Sequence, residues 1–283
     1  MHKNTKTVIS NLRSKESLEE RLNSLKNAYS GEDCYILTAG PSIKEIPVEK
    51  LIDATRGKLV IAVKQTYNLI PEAVDIHVIN PFNYEAYNFL NDPLKICVEI
   101  EGSNLMTPQY HSDLIFEIIR KSAGNRQASL AATMDYENYK LENSLMRPWG
   151  PGIMHELVIY LPILLGCKNV YILGWDLGTP NSEVIERFYN KNSVLQLVEK
   201  FTIKKVSRGF YNNVVRGINF FRNILYRLGF KVLLNEPSIA KDEAAFIAKS
   251  TKSLYSFFRE EGLNVKIISN TSMVDESFPR TSL

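Results

Sequence analysis

The sequence has few cysteines, and they lie far apart. Cys34, Cys97 and Cys167 each sit in or beside an apolar run of this 283-residue chain. Such spacing argues against a disulfide framework and against a cysteine metal site. It predicts buried free thiols in a reducing compartment.

Long apolar stretches are also missing. No run is long enough to span a bilayer, and Met1–Asn11 lacks the apolar core of a signal peptide. We therefore expect a cytoplasmic protein, with at most a peripheral position on the cytoplasmic face of the inner membrane. The net charge of +3 is too small to indicate a nucleic-acid partner.

What the chain does contain is an alternation of short apolar runs with helical patterns. This order predicts an α/β fold with a doubly wound, mostly parallel sheet, of the Rossmann nucleotide-binding type, with helices on both faces. We expect an N-terminal helical extension over 1–30 and an α/β domain over 31–283, with a basic helical lid region over 179–230. The predicted strands are Cys34–Thr38, Leu59–Val63, Ile76–Ile79, Lys95–Ile100, Val170–Leu173, Lys231–Leu234 and Val265–Ser269. The predicted helices are Ser14–Ala28, Ser112–Lys121, Ile153–Leu165, Ser193–Phe201, Val214–Leu228 and Asp242–Glu261.

Polar and glycine-rich segments follow four of the predicted strands, and a fifth such segment precedes a predicted helix. In a parallel sheet the carboxyl ends of the strands lie along one edge, which is where open α/β folds bind ligands. Each segment on its own could be a simple turn. Together they predict a crevice lined by Thr38–Ser42, Lys64–Thr66, Asn80–Asn83, Arg147–Glu156 and Gly174–Gly178.

The order of these motifs resembles the bacterial sialyltransferases of glycosyltransferase family 42. Thr38–Ser42 is similar to the Gly-x-Gly-Pro-Ser-type turn of that family, and Lys64-Gln65 to a strand ending in Asn-Gln. Asn80-Pro81 matches an Asn-Pro strand end. Pro151-Gly152 is similar to a Ser-Gly pair before a long helix, and Gly174–Asp176 to a Gly-x-Asp tip.

In that family the corresponding residues bind a CMP-activated sugar, and no metal is needed. The resemblance implies that Gly40 and Ser42 approach the phosphate and ribose, that Asn80 bonds the nucleotide or donor sugar, and that Gly152 lies against the cytidine. Lys64 stands where the family has asparagine; it could neutralise phosphate charge or be a solvated surface lysine. The predicted nucleotide- and donor-binding residues are Thr38, Ala39, Gly40, Ser42, Lys64, Gln65, Asn80, Pro81, Arg147, Gly150, Pro151, Gly152, Trp175 and Leu177.

The resemblance has departures, chiefly in the catalytic residues. The family's general-base histidine has no counterpart between Gly209 and Lys252, and its tyrosine pair is replaced by Leu177-Gly178. Ala39 stands where the family has asparagine. Nucleotide recognition therefore carries over better than catalysis, which suggests a different donor sugar, acceptor or stereochemical course.

His155 and Asp176 are the predicted catalytic residues. His155 follows Gly152 near the expected crevice, while the sequence indicates an interior position for His77 and surface positions for His2 and His111. Alternatively, His155 is explained by packing alone and Asp176 by loop hydrogen bonds. Arg147 is expected to bind phosphate or the sugar carboxylate, and Trp149 and Trp175 either stack on saccharide rings or fill the core.

The stretch from Lys200 to Lys231 has no acidic residue. Its eight basic residues are interleaved with aromatic ones, and Val215, Ile218, Phe221, Ile224, Leu225 and Leu228 follow helical spacing. Such a segment suits an anionic membrane surface. An ordinary helix packed on the sheet is the alternative.

The resemblance to the sialyltransferases implies a metal-independent glycosyltransferase without a cofactor. Its donor would be a CMP-linked sialic-acid-like or Kdo-like sugar, and its acceptor a lipid-linked bacterial surface glycan such as lipopolysaccharide, O-antigen or capsule. The sequence has no Asp-x-Asp pair and no Gly-x-x-x-x-Gly-Lys-Ser/Thr loop. A pyrophosphokinase-like nucleotide phosphotransferase and a catalytically silent nucleotide-binding protein are the alternatives. A homo-oligomer is compatible with the sequence.

Overall fold

The computed structural model describes residues 1–79, 90–100, 112–119, 134–148, 152–177, 241–269 and 272–283, and the single positions 217, 220, 221 and 224. For Ile100 and residues 241–246 it describes the backbone alone. Several predictions lie outside these residues. They are the strand Lys231–Leu234, the helix Ser193–Phe201, most of the helix Val214–Leu228, and the residues Asn80, Pro81, His111, Trp149, Gly150 and Pro151.

The described strands form one seven-stranded sheet in which every neighbouring pair is parallel. Their order is β5-β4-β3-β2-β1-β6-β7. Strand β2, at the centre of the sheet, is a continuous and fully buried apolar run, as a strand covered on both faces requires. The predicted α/β class with a parallel sheet is confirmed. The strands are β1 (Asp33–Leu37), β2 (Leu59–Val63), β3 (Ile76–Ile79), β4 (Leu94–Ile100), β5 (Leu114–Ile118), β6 (Asn169–Leu173) and β7 (Asn264–Ile268).

Helices precede β1, separate several of the described strands and cover the sheet. The helix before β1 begins with a capping box, because the Ser17 hydroxyl accepts from the Glu20 amide at 3.1 Å while the Glu20 carboxylate accepts from the Ser17 amide at 3.0 Å. The described α-helices are α1 (Thr5–Arg13), α2 (Leu18–Leu25), α3 (Val48–Thr55), α4 (Ile153–Glu156), α5 (Leu161–Leu164) and α6 (Lys241–Glu260). Short 3-10 turns follow β1 and β2, at Pro41–Glu45 and Lys64–Leu69.

Two apolar clusters, one on each face of the sheet, form the core. The larger contains side chains of all seven strands and is covered by α1, α2, α6 and the segment around α4 and α5. The smaller joins β1, β2, β6 and β7 to Ile43, Leu51 and Tyr67. Alternate residues of one strand therefore point to opposite faces, with Ile36 in the larger cluster and Leu37 in the smaller.

The N-terminal segment packs on the sheet. Leu12 and Leu25 are fully buried in the larger cluster. The Asp75 carboxylate accepts hydrogen bonds from the His2 amide and the Thr5 hydroxyl at 2.6 Å, and from the Val60 amide at 2.8 Å. His2, expected at the surface, is thus buried. These bonds hold the start of α1 against the amino edge of β2 and β3.

The structure contradicts two predicted helices in part. Residues 114–118 form strand β5, because Leu114, Phe116 and Ile118 alternate with exposed residues and contact the core. The predicted helix Ile153–Leu165 is broken into α4, a 3-10 turn and α5. Pro162 lacks an amide hydrogen, and its ring would clash with the Val158 carbonyl in a continuous helix.

In the part of the chain that the structure describes, no helix combines the length and apolar character needed to cross a bilayer.

Candidate functional site at the strand tips

The direction of the chain across the sheet reverses beside β1. Strands β2 to β5 extend to one side of β1, while β6 and β7 lie on its other side. Loops that leave β1 and β6 at the carboxyl edge therefore belong to opposite halves of the sheet. Open α/β sheets bind ligands at such a reversal. The candidate site is the crevice at the tips of β1 and β6.

The two tips touch through their backbones. The Thr38 amide and hydroxyl donate to the Leu173 carbonyl at 2.8 and 2.9 Å, and the Gly40 amide donates to the Gly174 carbonyl at 2.7 Å. A Cβ atom on Gly40 would lie 2.2 Å from the Gly174 oxygen. Gly174 has φ +72°, and a Cβ there would meet the Thr38 oxygen at 2.4 Å. Glycine is required at both positions because no side chain fits between the tips.

A buried carboxylate joins three strand tips. Asp176 follows β6, and its two oxygens accept from the Ser42 amide at 2.8 Å and the Ser42 hydroxyl at 2.6 Å. The Ser269 hydroxyl, after β7, donates to the same carboxylate at 3.1 Å. The Asp176 carbonyl accepts from the Met273 amide at 2.9 Å. Asp176 thereby fixes the loops after β1, β6 and β7 relative to one another.

This network gives Ser42 a different partner from the one predicted. Its amide and hydroxyl, expected to approach a phosphate, donate to Asp176, and the residue is buried. The contacts of Asp176 are those of a loop-organising carboxylate, the alternative left open by the sequence. The neighbouring Ala39 and Gly40 are partly exposed, so the backbone of this turn remains accessible beside the network.

The tip of β2 lies on the other side of β1. The Thr66 hydroxyl bridges to β1 by donating to the Leu37 carbonyl at 2.9 Å. Lys64 is largely buried and has φ +57°. This left-handed backbone conformation is unfavourable in free energy for any residue that carries a side chain. The Lys64 carbonyl lies 2.9 Å from Nε2 of His77, and Gln65 is half-buried next to it. The predicted residues Lys64 and Gln65 thus lie at the carboxyl edge.

His77 is an interior histidine, as the sequence indicated. It is fully buried in β3, and burial lowers its pKa to about 3. Its contact with the Lys64 carbonyl ties β3 to the turn after β2.

His155 is buried close to the tip of β6. Burial lowers its pKa to about 4, so the imidazole is neutral at neutral pH. Its Nε2 has no hydrogen-bond partner among the described residues. The imidazole centroid lies 5.8 Å from that of Trp175, whose indole is buried and packs edge-on against Phe278 at 6.0 Å. In this arrangement Trp175 is a core residue, and Nε2 of His155 is a buried polar atom without a partner among the described residues.

Gly152 precedes α4 with an extended backbone, φ 169°. A Cβ built there meets no atom within 4 Å, so internal packing does not require glycine at this position. Leu177, the last described residue after β6, has φ +56°. Strain in non-glycine residues is therefore found at the tips of both β2 and β6.

Arg147 does not join this group. Its backbone pairs with the outer edge of β5, donating to the Glu117 carbonyl at 2.8 Å. Its guanidinium donates to the carbonyls of Glu156 at 2.9 Å, Ser144 at 2.8 Å and Tyr139. Burial lowers its pKa to about 10. These bonds commit the guanidinium to the fold, so it is not placed to bind a phosphate or a sugar carboxylate.

Sequence reasoning missed Ser269, and it named Thr66 only as part of the turn after β2. Both residues follow strands at the carboxyl edge, and both use a hydroxyl to connect neighbouring tips. The rule that located Ser42 and Asp176 would also have found Ser269, which directly follows β7.

Two further features concern ligands. In the described residues no cluster of three or more histidine, cysteine, aspartate or glutamate side chains is placed to hold a metal ion. A cavity of about 350 Å³ lies at the amino edge, between the end of α3 and the loop before β3, with Ile52, Thr55, Ile70 and Ala73 among its lining residues. None of the predicted site residues lines it.

Comparisons with known proteins give a distant structural similarity. No protein-family model matches the chain, and no curated protein matches it. A glycosyltransferase, "MAf glycosyltransferase from Magnetospirillum magneticum AMB-1", is structurally similar with a TM-score of 0.46 and 12% sequence identity. The similarity covers 89% of this chain and 34% of that protein, so this chain corresponds to about a third of it.

Proposed function

We propose that this protein is a glycosyltransferase that transfers a sialic-acid-like or Kdo-like sugar from a CMP donor to a bacterial surface glycan, without a metal. The observation that carries the proposal is the reversal of strand order beside β1, where the glycine-containing tips of β1 and β6 meet. This is the position at which α/β sheets bind nucleotides.

The donor would lie across the tips, with its phosphate toward β2. The partly exposed backbone at Ala39 and Gly40 permits close approach, and Lys64 supplies a cation on the same edge. A cation near the leaving phosphate stabilises the charge that develops as the glycosidic bond breaks. Gly152 would face the cytidine, which explains a glycine that internal packing does not demand.

The reaction needs a proton acceptor. The bond between the anomeric carbon and the phosphate oxygen breaks, and its electron pair leaves with CMP. A new bond forms between that carbon and the acceptor hydroxyl oxygen, whose proton goes to a base. We assign this base to His155, because its imidazole is neutral and its Nε2 has no described partner. His155 is buried, so the proposal requires that acceptor binding open a path to it.

Nucleotide binding tests the proposal directly. We expect CMP, titrated in a calorimeter with chelator present, to bind the full chain more tightly than UMP or AMP. Gly152→Val should abolish CMP binding without unfolding the protein, because the space at its Cβ is empty. Gly217→Val, where the space is also empty, is the matched control and should bind CMP normally. Equal CMP affinity in Gly152→Val and the wild type would refute this placement of the nucleotide.

Turnover separates the enzyme from its alternatives. CMP release from CMP-Kdo or CMP-sialic acid in the presence of chelator is the expected result, and His155→Gln should reduce it by about 10²-fold or more, the usual size of a general-base contribution. Preference for ATP with magnesium would instead indicate a nucleotide phosphotransferase. Tight CMP binding with no release from any CMP-sugar would indicate a silent nucleotide-binding protein.

A further inference from the structure

Four described residues between β6 and α6 form an exposed apolar stripe. Gly217, Phe220, Phe221 and Ile224 are each helical, at the spacing i, i+3, i+4 and i+7 that places residues on one helix face. Phe220 is 55% exposed, Phe221 69% and Ile224 41%. The two phenylalanine rings contact each other edge-on, with centroids 6.0 Å apart. We call these four residues the Phe220 stripe.

At the four residues that the structure describes, the exposure of this stripe favours the membrane interpretation of the basic segment over packing on the sheet. A helix that packs on the sheet would bury its apolar face. Phe221 and Ile224, both members of the apolar pattern, are instead open to solvent. Among the large apolar side chains that the structure describes, Phe221 is the most exposed. Clustered exposed aromatic residues mark an interaction surface.

Charge identifies the chemistry of the partner. The sequence from Lys200 to Lys231 contains eight lysine and arginine residues and no acidic residue. Because the whole chain carries only +3, the rest of it is net acidic. Positive charge is thus concentrated in the segment that carries the exposed stripe, and a partner for it must combine an anionic surface with an apolar layer.

We propose that the Phe220 stripe docks on an anionic phospholipid bilayer. The phenylalanine rings and Ile224 enter the boundary between headgroups and acyl chains, while the basic residues of the segment bind lipid phosphates. The Phe220 stripe would lie on the membrane surface and would not cross the bilayer. The inference does not depend on the identity of the nucleotide or on catalysis.

Vesicle flotation with the full chain tests this docking. We expect binding to vesicles that contain about a third phosphatidylglycerol and none to pure phosphatidylcholine. The double variant Phe220→Ser/Phe221→Ser should lower the partition coefficient at least about tenfold, since the aromatic rings supply the apolar part of interfacial binding. Raising the ionic strength from about 0.1 M to about 0.5 M should also release the protein, because salt screens its attraction to lipid.

The control changes an exposed apolar pair on another surface. Val48→Ser/Ile52→Ser alters two α3 residues of 42% and 43% exposure and should leave vesicle binding unchanged. Circular dichroism establishes that both variants fold. The proposal is overturned if vesicles of phosphatidylcholine alone bind the protein as tightly as the anionic vesicles do, or if both double variants bind like the wild type. It is also overturned if the stripe variant differs from the wild type only by a loss of self-association in light scattering. Binding to single-stranded DNA but not to vesicles would equally overturn it.

Discussion

Asp176 and Asp275 each accept hydrogen bonds from the amide and hydroxyl of one serine, but only Asp176 is buried. Replacing Asp176 with asparagine removes the charge that strengthens these bonds. It also places the side-chain amide, which is a donor, beside the Ser42 groups that donate to the carboxylate. We expect Asp176→Asn to lower the free energy of unfolding by about 2–4 kcal/mol, as for buried charged hydrogen bonds. Urea denaturation measures this loss.

The matched variant is Asp275→Asn. Its carboxylate is partly exposed, so water can replace the lost interaction, and the expected cost is below about 1 kcal/mol. Similar losses in the two variants would show that burial does not determine the contribution of Asp176. Another residue would then have to hold the loops after β1, β6 and β7 in place.

Lys64 allows strain and ligand binding to be separated. Both Lys64 and Asn27 have a positive φ, 57° and 58°. Glycine at either position should relieve backbone strain of about 1 kcal/mol. We expect Lys64→Gly to weaken CMP binding about tenfold, the typical effect of losing one charged hydrogen bond. Asn27→Gly should leave CMP binding unchanged, and calorimetry on both variants provides the comparison.

An unchanged CMP affinity in Lys64→Gly would show that the lysine does not contact the phosphate. Its strained backbone would then be explained by the contact between its carbonyl and His77.

At the scale of elements, strand β5 offers a test between two neighbouring residues. Phe116 is fully buried, whereas Ile115 is 45% exposed. We expect Phe116→Ala to cost about 3–5 kcal/mol through lost burial and a cavity. Ile115→Ala should cost less than about 1 kcal/mol, because its side chain lies on the open face. Equal losses in denaturant titrations would be inconsistent with alternating burial along this strand.

The strands differ in how well the local sequence predicts them. The bounds of β2 and β3 agree with the prediction, because apolar β-branched residues stand between clear turns. Segment 112–121 contains apolar residues that fit either a helix or a strand. Pairing with β4 decides the outcome, and that partner is remote in sequence. The apolar spacing predicts a continuous helix over Ile153–Leu165, but Pro162 within it indicates a break.

The candidate site was predictable as a location more than as a set of contacts. Strand-tip reasoning placed Gly40, Ser42 and Asp176 at one edge, where the structure brings them together. It could not show that Ser42 donates to Asp176 across 134 residues. Arg147 was expected to bind phosphate or the sugar carboxylate, but backbone carbonyls satisfy its guanidinium instead.

At the scale of the whole molecule, buried histidines link stability to pH. Burial holds the pKa of His77 at about 3 and that of His155 at about 4. In the unfolded chain both titrate near 6.5, so between these values the unfolded state binds more protons than the folded state. The stability that the neutral histidines contribute is therefore present above pH 6.5 and is lost as the pH falls. Asp75 acts in the opposite direction, since burial raises its pKa.

We expect the free energy of unfolding to fall by about 4 kcal/mol between pH 7 and pH 5, from about 1.4 kcal/mol per pH unit and histidine below the unfolded pKa. His155→Leu should remove about half of this dependence. At pH 7 it should cost little, because Nε2 has no hydrogen bond to lose among the described residues. Urea titrations of both proteins at several pH values provide the measurement.

If His155→Leu kept the full pH dependence, His155 would have to be protonated inside the folded protein. A histidine that is charged at pH 5 in the folded state could not be buried in an apolar setting, so the buried position of His155 beside Trp175 would have to be withdrawn.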